Sequence, residues 1–198
     1  DKAILADKTL DFRVLNLAGN TFNENTTSYW HKSIGGYHAA KLRRYQEMIE
    51  EHISTEMNGV FKAVSEAGGD MQKVAPSGFP VLNMLNTRYF IFPLQGGKTV
   101  PIQNPYTLGN AWFVNEVQYV DNANDKKFSA EVKSAAETDT LGTIKLTAYE
   151  PNDLKYEVNS KTGGTVVFSE IYYPGWQAYI DGVEAPHGRA DYILRAMN

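Results

Sequence analysis

The chain has 198 residues, 42% hydrophobic and 21% charged, which are the values of a globular protein with enough length to bury a core and exclude a disordered tract. A net charge of -4 leaves no cationic surplus for binding nucleic acid, and the absence of cysteine removes disulfides and thiolate metal sites. No apolar run reaches the roughly 20 residues that span a bilayer, while 12% aromatic residues supply rings for cores and for sugar-stacking surfaces alike.

In chain order, Phe12-Arg-Val-Leu-Asn-Leu17 is a short apolar run bounded by Asp11 and Gly19, which predicts a buried strand. Residues 20–28, rich in Asn and Thr and without periodicity, read as loop. Over residues 38–53, Leu42, Tyr45, Ile49 and Ile53 recur at spacings of three and four, which predicts an amphipathic helix. Its acidic residues gather toward its C-terminal end, where the helix dipole disfavours them, so the apolar stripe must supply its stability. Met57, Val60, Phe61 and Val64 predict a second helix stopped by Gly68 and Gly69. Residues 81–86 predict a helical turn leading into a buried strand, Tyr89-Phe-Ile-Phe92, ended by Pro93.

From Gln95 the punctuation changes, with Gly96, Gly97, Pro101, Pro105 and Gly109 preceding a stretch, residues 111–120, that alternates at period two. Residues 127–136 place Phe128 and Val132 one helical turn apart and predict a short helix. The remainder alternates as strands: Ile144, Leu146 and Ala148, then Leu154, Tyr156 and Val158, then Val166 and Phe168, then Trp176, Ala178 and Ile180, with an Asp181-Gly182 hairpin turn. The expected fold is α+β: residues 1–104 form an α/β portion with two or three helices, and residues 105–198 an antiparallel β-sandwich-like portion. The last strand, after Arg189, stops in mid-pattern, so the second portion is expected to be truncated and that strand to lack a partner.

Several blocks together resemble the extracytoplasmic region of the YfhO family of bacterial multi-spanning membrane proteins. They are Arg13-Val-Leu-Asn-Leu17, Ser28-Tyr-Trp-His-Lys-Ser-Ile-Gly-Gly-Tyr-His38, Ala40-Lys-Leu-Arg-Arg-Tyr-Gln46, Leu82-Asn-Met-Leu-Asn-Thr-Arg-Tyr-Phe90, Leu108-Gly-Asn-Ala-Trp-Phe-Val114 and the block from Phe168 to Gly182. The resemblance implies a parent similar to membrane glycosyltransferases that take sugar from a polyprenyl-phosphate carrier, with the catalytic carboxylate in an early loop outside this chain. No catalytic residue is carried over. The implied place is the periplasmic face, tethered to the cytoplasmic membrane, and the implied partner is the membrane domain of the same polypeptide.

Two segments are candidates for ligand contact. In the first, Trp30, His31, Lys32, Gly35, Gly36, Tyr37 and His38 lead into Lys41 and Arg44 at the basic start of the first predicted helix. Glycines let backbone N–H groups approach a ligand and cations favour an anion, so a diphosphate or acidic glycan suits the segment. The competing reading is a sharp Gly35-Gly36 turn with His31 and His38 satisfied locally, since the spacing is not that of a phosphate-binding loop. In the second, Tyr172 and Tyr173 flank Pro174-Gly175-Trp176 as an aromatic sugar platform, whereas Trp176 reads as a core residue sharing a strand face with Ala178 and Ile180. Arg195 reads as an outward strand residue. His31, His38 and His52 lack helical zinc spacing, and Ser33 and Ser169 lack a nucleophile context, so no metal, cofactor or catalytic residue is expected. The chain is expected to be a non-enzymatic accessory domain contacting a glycan or a polyprenyl-phosphate sugar. The alternative is a structural or assembly module that caps the membrane domain and binds partner proteins.

Overall fold

The computed structural model describes residues 2–118 and 141–198. The helix expected at 127–136 and the end of the alternating stretch at 119–120 lie outside the described residues. The chain is α+β and divides into two compact units, Asp1–Leu108 and Gly109–Asn198.

The first unit is built on a three-stranded sheet, order β1-β2-β3. Strand β1 (Arg13–Asn16) lies parallel to β2 (Thr87–Pro93), as a strand–helix–strand connection requires, and β3 (Thr99–Gln103) pairs antiparallel on the other side of β2. β3 contradicts the reading of this stretch as punctuation alone. Pro101 is accommodated because, among the described residues, β3 is the edge strand of this sheet and its missing N–H deprives no neighbour. Two short helices were also not foreseen: α1 (Lys2–Ala6), whose Ile4 is buried against Val14, Tyr89 and Ile91, and α2 (Thr26–Trp30), which replaces the end of the expected loop.

The predicted pair of helices forms one continuous path: α3 (Arg43–Met48), a π-helical turn (Ile49–Ile53) and α4 (Ser54–Glu66), with helical backbone at both joins. It begins at Arg43, so residues 38–42 are loop, and Glu47, Glu50 and Glu51 fall in its interior rather than at its end. The wider π turn lets Ser54 Oγ donate to Ile49 O at 2.7 Å and brings Ile49, Ile53, Val60 and Val64 to the core. At its C-terminus the N–H groups of Gly68 and Gly69 donate to Ser65 O and Val64 O, at 3.2 and 2.9 Å. Both glycines have positive φ, so this is the paired glycine stop that the sequence predicts. α5 (Pro80–Met84) supplies the expected helical turn, and its Leu82 and Met84 are fully buried. Phe61 stacks on Phe92 at 5.5 Å and Phe79 meets Phe90 edge-on at 6.1 Å, closing the helices onto the sheet.

The second unit is antiparallel. β4 (Ala111–Val114), β7 (Thr165–Ile171), β10 (Gly188–Ala190) and β11 (Leu194–Met197) form a sheet in the order β10-β11-β7-β4. β11 lies between β10 and β7, so the expectation of an unpartnered last strand is corrected: both of its edges carry ladders. The hairpin of β5 (Thr143–Glu150) and β6 (Asp153–Asn159) reaches the sheet through an edge contact of Tyr156 with Phe168 at 5.0 Å. A second hairpin, β8 (Ala178–Ile180) with β9 (Val183–Ala185), turns at Asp181 and Gly182, both at positive φ, as the Asp-Gly pair demands. Trp112, Phe113, Leu146, Val166, Val167, Ile193 and Leu194 form the core of this unit.

Candidate functional site

The first candidate segment is held to the sheet as if it were a further strand position. Val14 N–H donates to Lys32 O at 2.8 Å and Ile34 N–H donates to Val14 O at 3.0 Å, while the Ile34 side chain is buried. Tyr45 on α3 donates its hydroxyl to Ile34 O at 2.6 Å, and burial pushes that phenol up to about 12. At Gly35 any Cβ would fall inside the contact shell of the Thr21 carbonyl, and Gly36, at φ +114°, donates its N–H to Thr21 O at 2.7 Å. These contacts account for both glycines by folding alone. Lys32 pairs with the buried carboxylate of Asp11, and burial lowers the pKa of His31. Ser33 Oγ accepts the Gly35 N–H at 3.1 Å.

What the fold does not use for itself is the aromatic surface beside this loop. Tyr29, Trp30 and Tyr37 are 79%, 59% and 64% exposed, on backbone that is fixed. Thr27 N–H bonds the Glu24 carboxylate at 3.0 Å, Asn16 Nδ2 reaches Thr27 Oγ1 at 2.9 Å, and Tyr37 N–H donates to Glu24 O at 2.9 Å. Burial opposes ionisation of Glu24, but hydrogen bonds from Thr27 and Thr26 outweigh it and lower its pKa, so it stays an anionic acceptor. Tyr29 and Trp30 meet edge-on at 4.9 Å. Further along the loop, His38, Lys41, Arg43, Gln46, Glu47 and Glu50 border an open depression of about 440 Å³. His38 Nδ1 accepts the Ala40 N–H, Lys41 Nζ reaches Phe22 O at 3.4 Å, and Arg43 pairs with Glu47 at 3.0 Å. Arg44 lies half-buried on α3 and does not border the depression.

The second candidate segment folds differently from its reading. Trp176 precedes β8 rather than belonging to it, and Tyr179 and Ile180 of that strand are exposed, so the shared core face of Trp176, Ala178 and Ile180 is overturned. The Pro174-Gly175 turn, with Gly175 at φ +96°, breaks the alternation before Trp176. Half-buried Trp176 instead carries the guanidinium of Arg195 at 4.2 Å from its ring centre, and Arg195 Nε and Nη2 both donate to Ile171 O, at 3.2 and 3.1 Å. Arg195 is therefore not simply outward, and burial lowers its pKa. Tyr172 is half-buried, donates its N–H to Ile193 O at 2.7 Å, lies under the guanidinium of Arg189 at 4.7 Å and approaches His187 at 5.9 Å; Tyr173 is 55% exposed.

Sequence reasoning missed Trp176, His187, Arg189 and Arg195 as one group. A hairpin symmetric about Tyr192 sets Arg189 opposite Arg195. Asp191 and Tyr192 take positive φ without a glycine, so the turn carries no ordinary turn signature. Glu56 is a second omission. It is buried on α4, and its two carboxylate oxygens accept the N–H groups of Val81 and Leu82, each at 2.9 Å, at the start of α5. Burial outweighs those bonds and raises its pKa to about 7. Among the described residues no group of three or more His, Asp or Glu is arranged to hold a metal ion, and no helix is long and apolar enough to cross a membrane. Compared with protein-family models, curated proteins and solved structures, the chain matches none.

Proposed function

We propose that this chain is the extracytoplasmic accessory region of a membrane protein resembling lipid-linked-sugar glycosyltransferases, and that it contacts a glycan or acceptor rather than making bonds. The motifs from Trp30 to His38 and from Tyr172 to Trp176 support the family resemblance. The observation that carries the binding reading is the set of exposed rings Tyr29, Trp30 and Tyr37 on a hydrogen-bonded backbone. Flat rings stack on pyranose C–H faces, and a backbone already fixed loses little entropy when a ligand arrives. His38 and Lys41, on the same loop, add polar groups suited to hydroxyls or to a phosphate.

Titration of the whole chain with cell-wall oligosaccharides and with a polyprenyl-diphosphate sugar tests this reading. Saturable binding that weakens about tenfold or more in Trp30→Ala is expected. One observation favours the second reading, an assembly module: the β8–β9 hairpin exposes Tyr179, Ile180 and Val183 together near its tip. If no saccharide saturates while a membrane-extracted protein copurifies with the chain, and Ile180→Asp releases it, the assembly reading replaces the glycan reading.

A further inference from the structure

We infer that Arg189 and Arg195, with Tyr172, Trp176 and His187, form a binding site in the second unit for an acidic saccharide, a pyranose bearing a carboxylate or a phosphate group. The two arginines are direct cross-strand partners in the β10–β11 ladder. Like charges in that relation destabilise a hairpin unless something offsets them. Within the described residues neither guanidinium forms an ion pair. Arg195 directs Nε and Nη2 at Ile171 O, Glu170 lends it favourable charge, and the exposed Arg189 rests on the Tyr172 ring.

The guanidinium carbon of Arg195 lies 4.2 Å from the Trp176 ring centre and that of Arg189 4.7 Å from the Tyr172 ring centre, and the exposed Arg189 keeps its N–H groups for a ligand. A carboxylate or phosphate takes two such N–H groups at once from a planar fork, and a lysine in the same place offers only a point charge. His187, 5.9 Å from Tyr172, adds a further ring donor, and the adjoining Tyr173, 55% exposed, offers a face for a pyranose. Charge recognition and ring stacking together select a sugar that carries an acid over a neutral sugar or a bare anion.

The site shares no residue with the aromatic patch of the first unit, so the two readings fail separately. The whole chain is titrated with glucuronate, glucose 1-phosphate, glucose and inorganic phosphate, as wild type and as Arg189→Gln, Arg189→Lys and Trp30→Ala. At least one sugar acid is expected to saturate about tenfold or more tightly than glucose and than inorganic phosphate. Arg189→Gln weakens that ligand about tenfold or more, Arg189→Lys restores only part of the loss, and Trp30→Ala leaves it unchanged. Glucuronate and glucose 1-phosphate then distinguish which acid the fork prefers. Equal binding of glucose, equal binding of inorganic phosphate, an unaltered affinity in Arg189→Gln, or no saturation at all overturns the inference. Arg189 is exposed, so its melting midpoint should hold; if Arg189→Gln fails to fold, Tyr173→Ala, expected to weaken the sugar acid but not inorganic phosphate, carries the test.

Discussion

The two units distribute charge and aromatic surface in opposite ways. In the first, several cations are absorbed by the fold: Lys32 pairs with buried Asp11, Arg88 with Asp7 at 2.7 Å, and buried Arg13 donates to Leu85 O at 2.8 Å, while the rings of Tyr29, Trp30 and Tyr37 remain outside. In the second, rings are absorbed in holding cations: Trp176 and Tyr172 each lie beneath a guanidinium that has no carboxylate partner among the described residues. The first unit therefore displays free rings beside its loop, and the second displays guanidinium edges beside Tyr172 and Trp176. Both kinds of surface suit a saccharide, the first through its C–H faces and the second through an acid it carries.

The sharpest way to break the contrast is to dislodge the loop that displays the aromatic patch. Gly35→Ala sets a methyl group into the Thr21 carbonyl, and the bonds from Ile34 and Gly36 on either side resist a backbone shift. A loss of about 3 kcal/mol or more is expected, read as a lowered urea midpoint at unchanged slope. If Gly35→Ala is as stable as wild type, the loop is not clamped and the patch is not preorganised.

Glu56 gives the next largest effect and tests whether the first unit tolerates charge it has not paired. Glu56→Ala strands two buried N–H groups at the start of α5 and should cost about 2–3 kcal/mol. Its pH dependence has a definite sign. The unfolded carboxyl titrates near 4.5 and the folded one near 7, so between those values the folded chain holds the extra proton. Stability should therefore fall as pH rises from about 4.5 to 7, on the order of 1–3 kcal/mol, and level off above. Glu56→Gln should flatten that slope; an unchanged slope would assign it to another group.

Asp7 titrates with the opposite sign. Burial works against its ionisation, but hydrogen bonds from Thr9, Arg88 and Tyr89 outweigh it and hold the carboxyl well below the usual range. Its contribution is complete above about pH 4 and is lost as pH falls toward the lower folded value. Asp7→Asn should cost about 1–2 kcal/mol at neutral pH and less in acid, a difference that denaturation at pH 7 and pH 3 would read.

Legibility in the sequence followed the range of the interaction. β1, β2, α5, the β5–β6 and β8–β9 hairpins and the glycine stop after α4 are set by short-range periodicity and turn chemistry, and all were readable. β3 was not, because Pro101 signals a break unless the strand is known to lie at an edge. Glu56 was not, because a lone helical carboxylate looks like a solvated face until Val81 and Leu82 are brought to it across 25 and 26 residues. Of the candidate site, Trp30, Tyr37, Tyr172 and Tyr173 were named from sequence; the grouping of Arg189, Arg195 and His187 was not, since Arg195 read as an outward strand residue and an unsignalled turn sets the register.

The smallest expected effect on stability separates display from folding most cleanly. Trp30 sits at the end of α2 with most of its ring in solvent, touching Tyr29 at its edge, so Trp30→Ala should move the denaturation midpoint by no more than about 0.5 kcal/mol. An exposed tryptophan on a fixed backbone adds little to the fold, yet a saccharide stacked on it would lose its largest contact surface. Normal stability with lost glycan binding is therefore the expected pairing in this variant. A marked loss of stability would mean that the Trp30 ring is a folding contact after all, and display in the first unit would then rest on Tyr29 and Tyr37 alone.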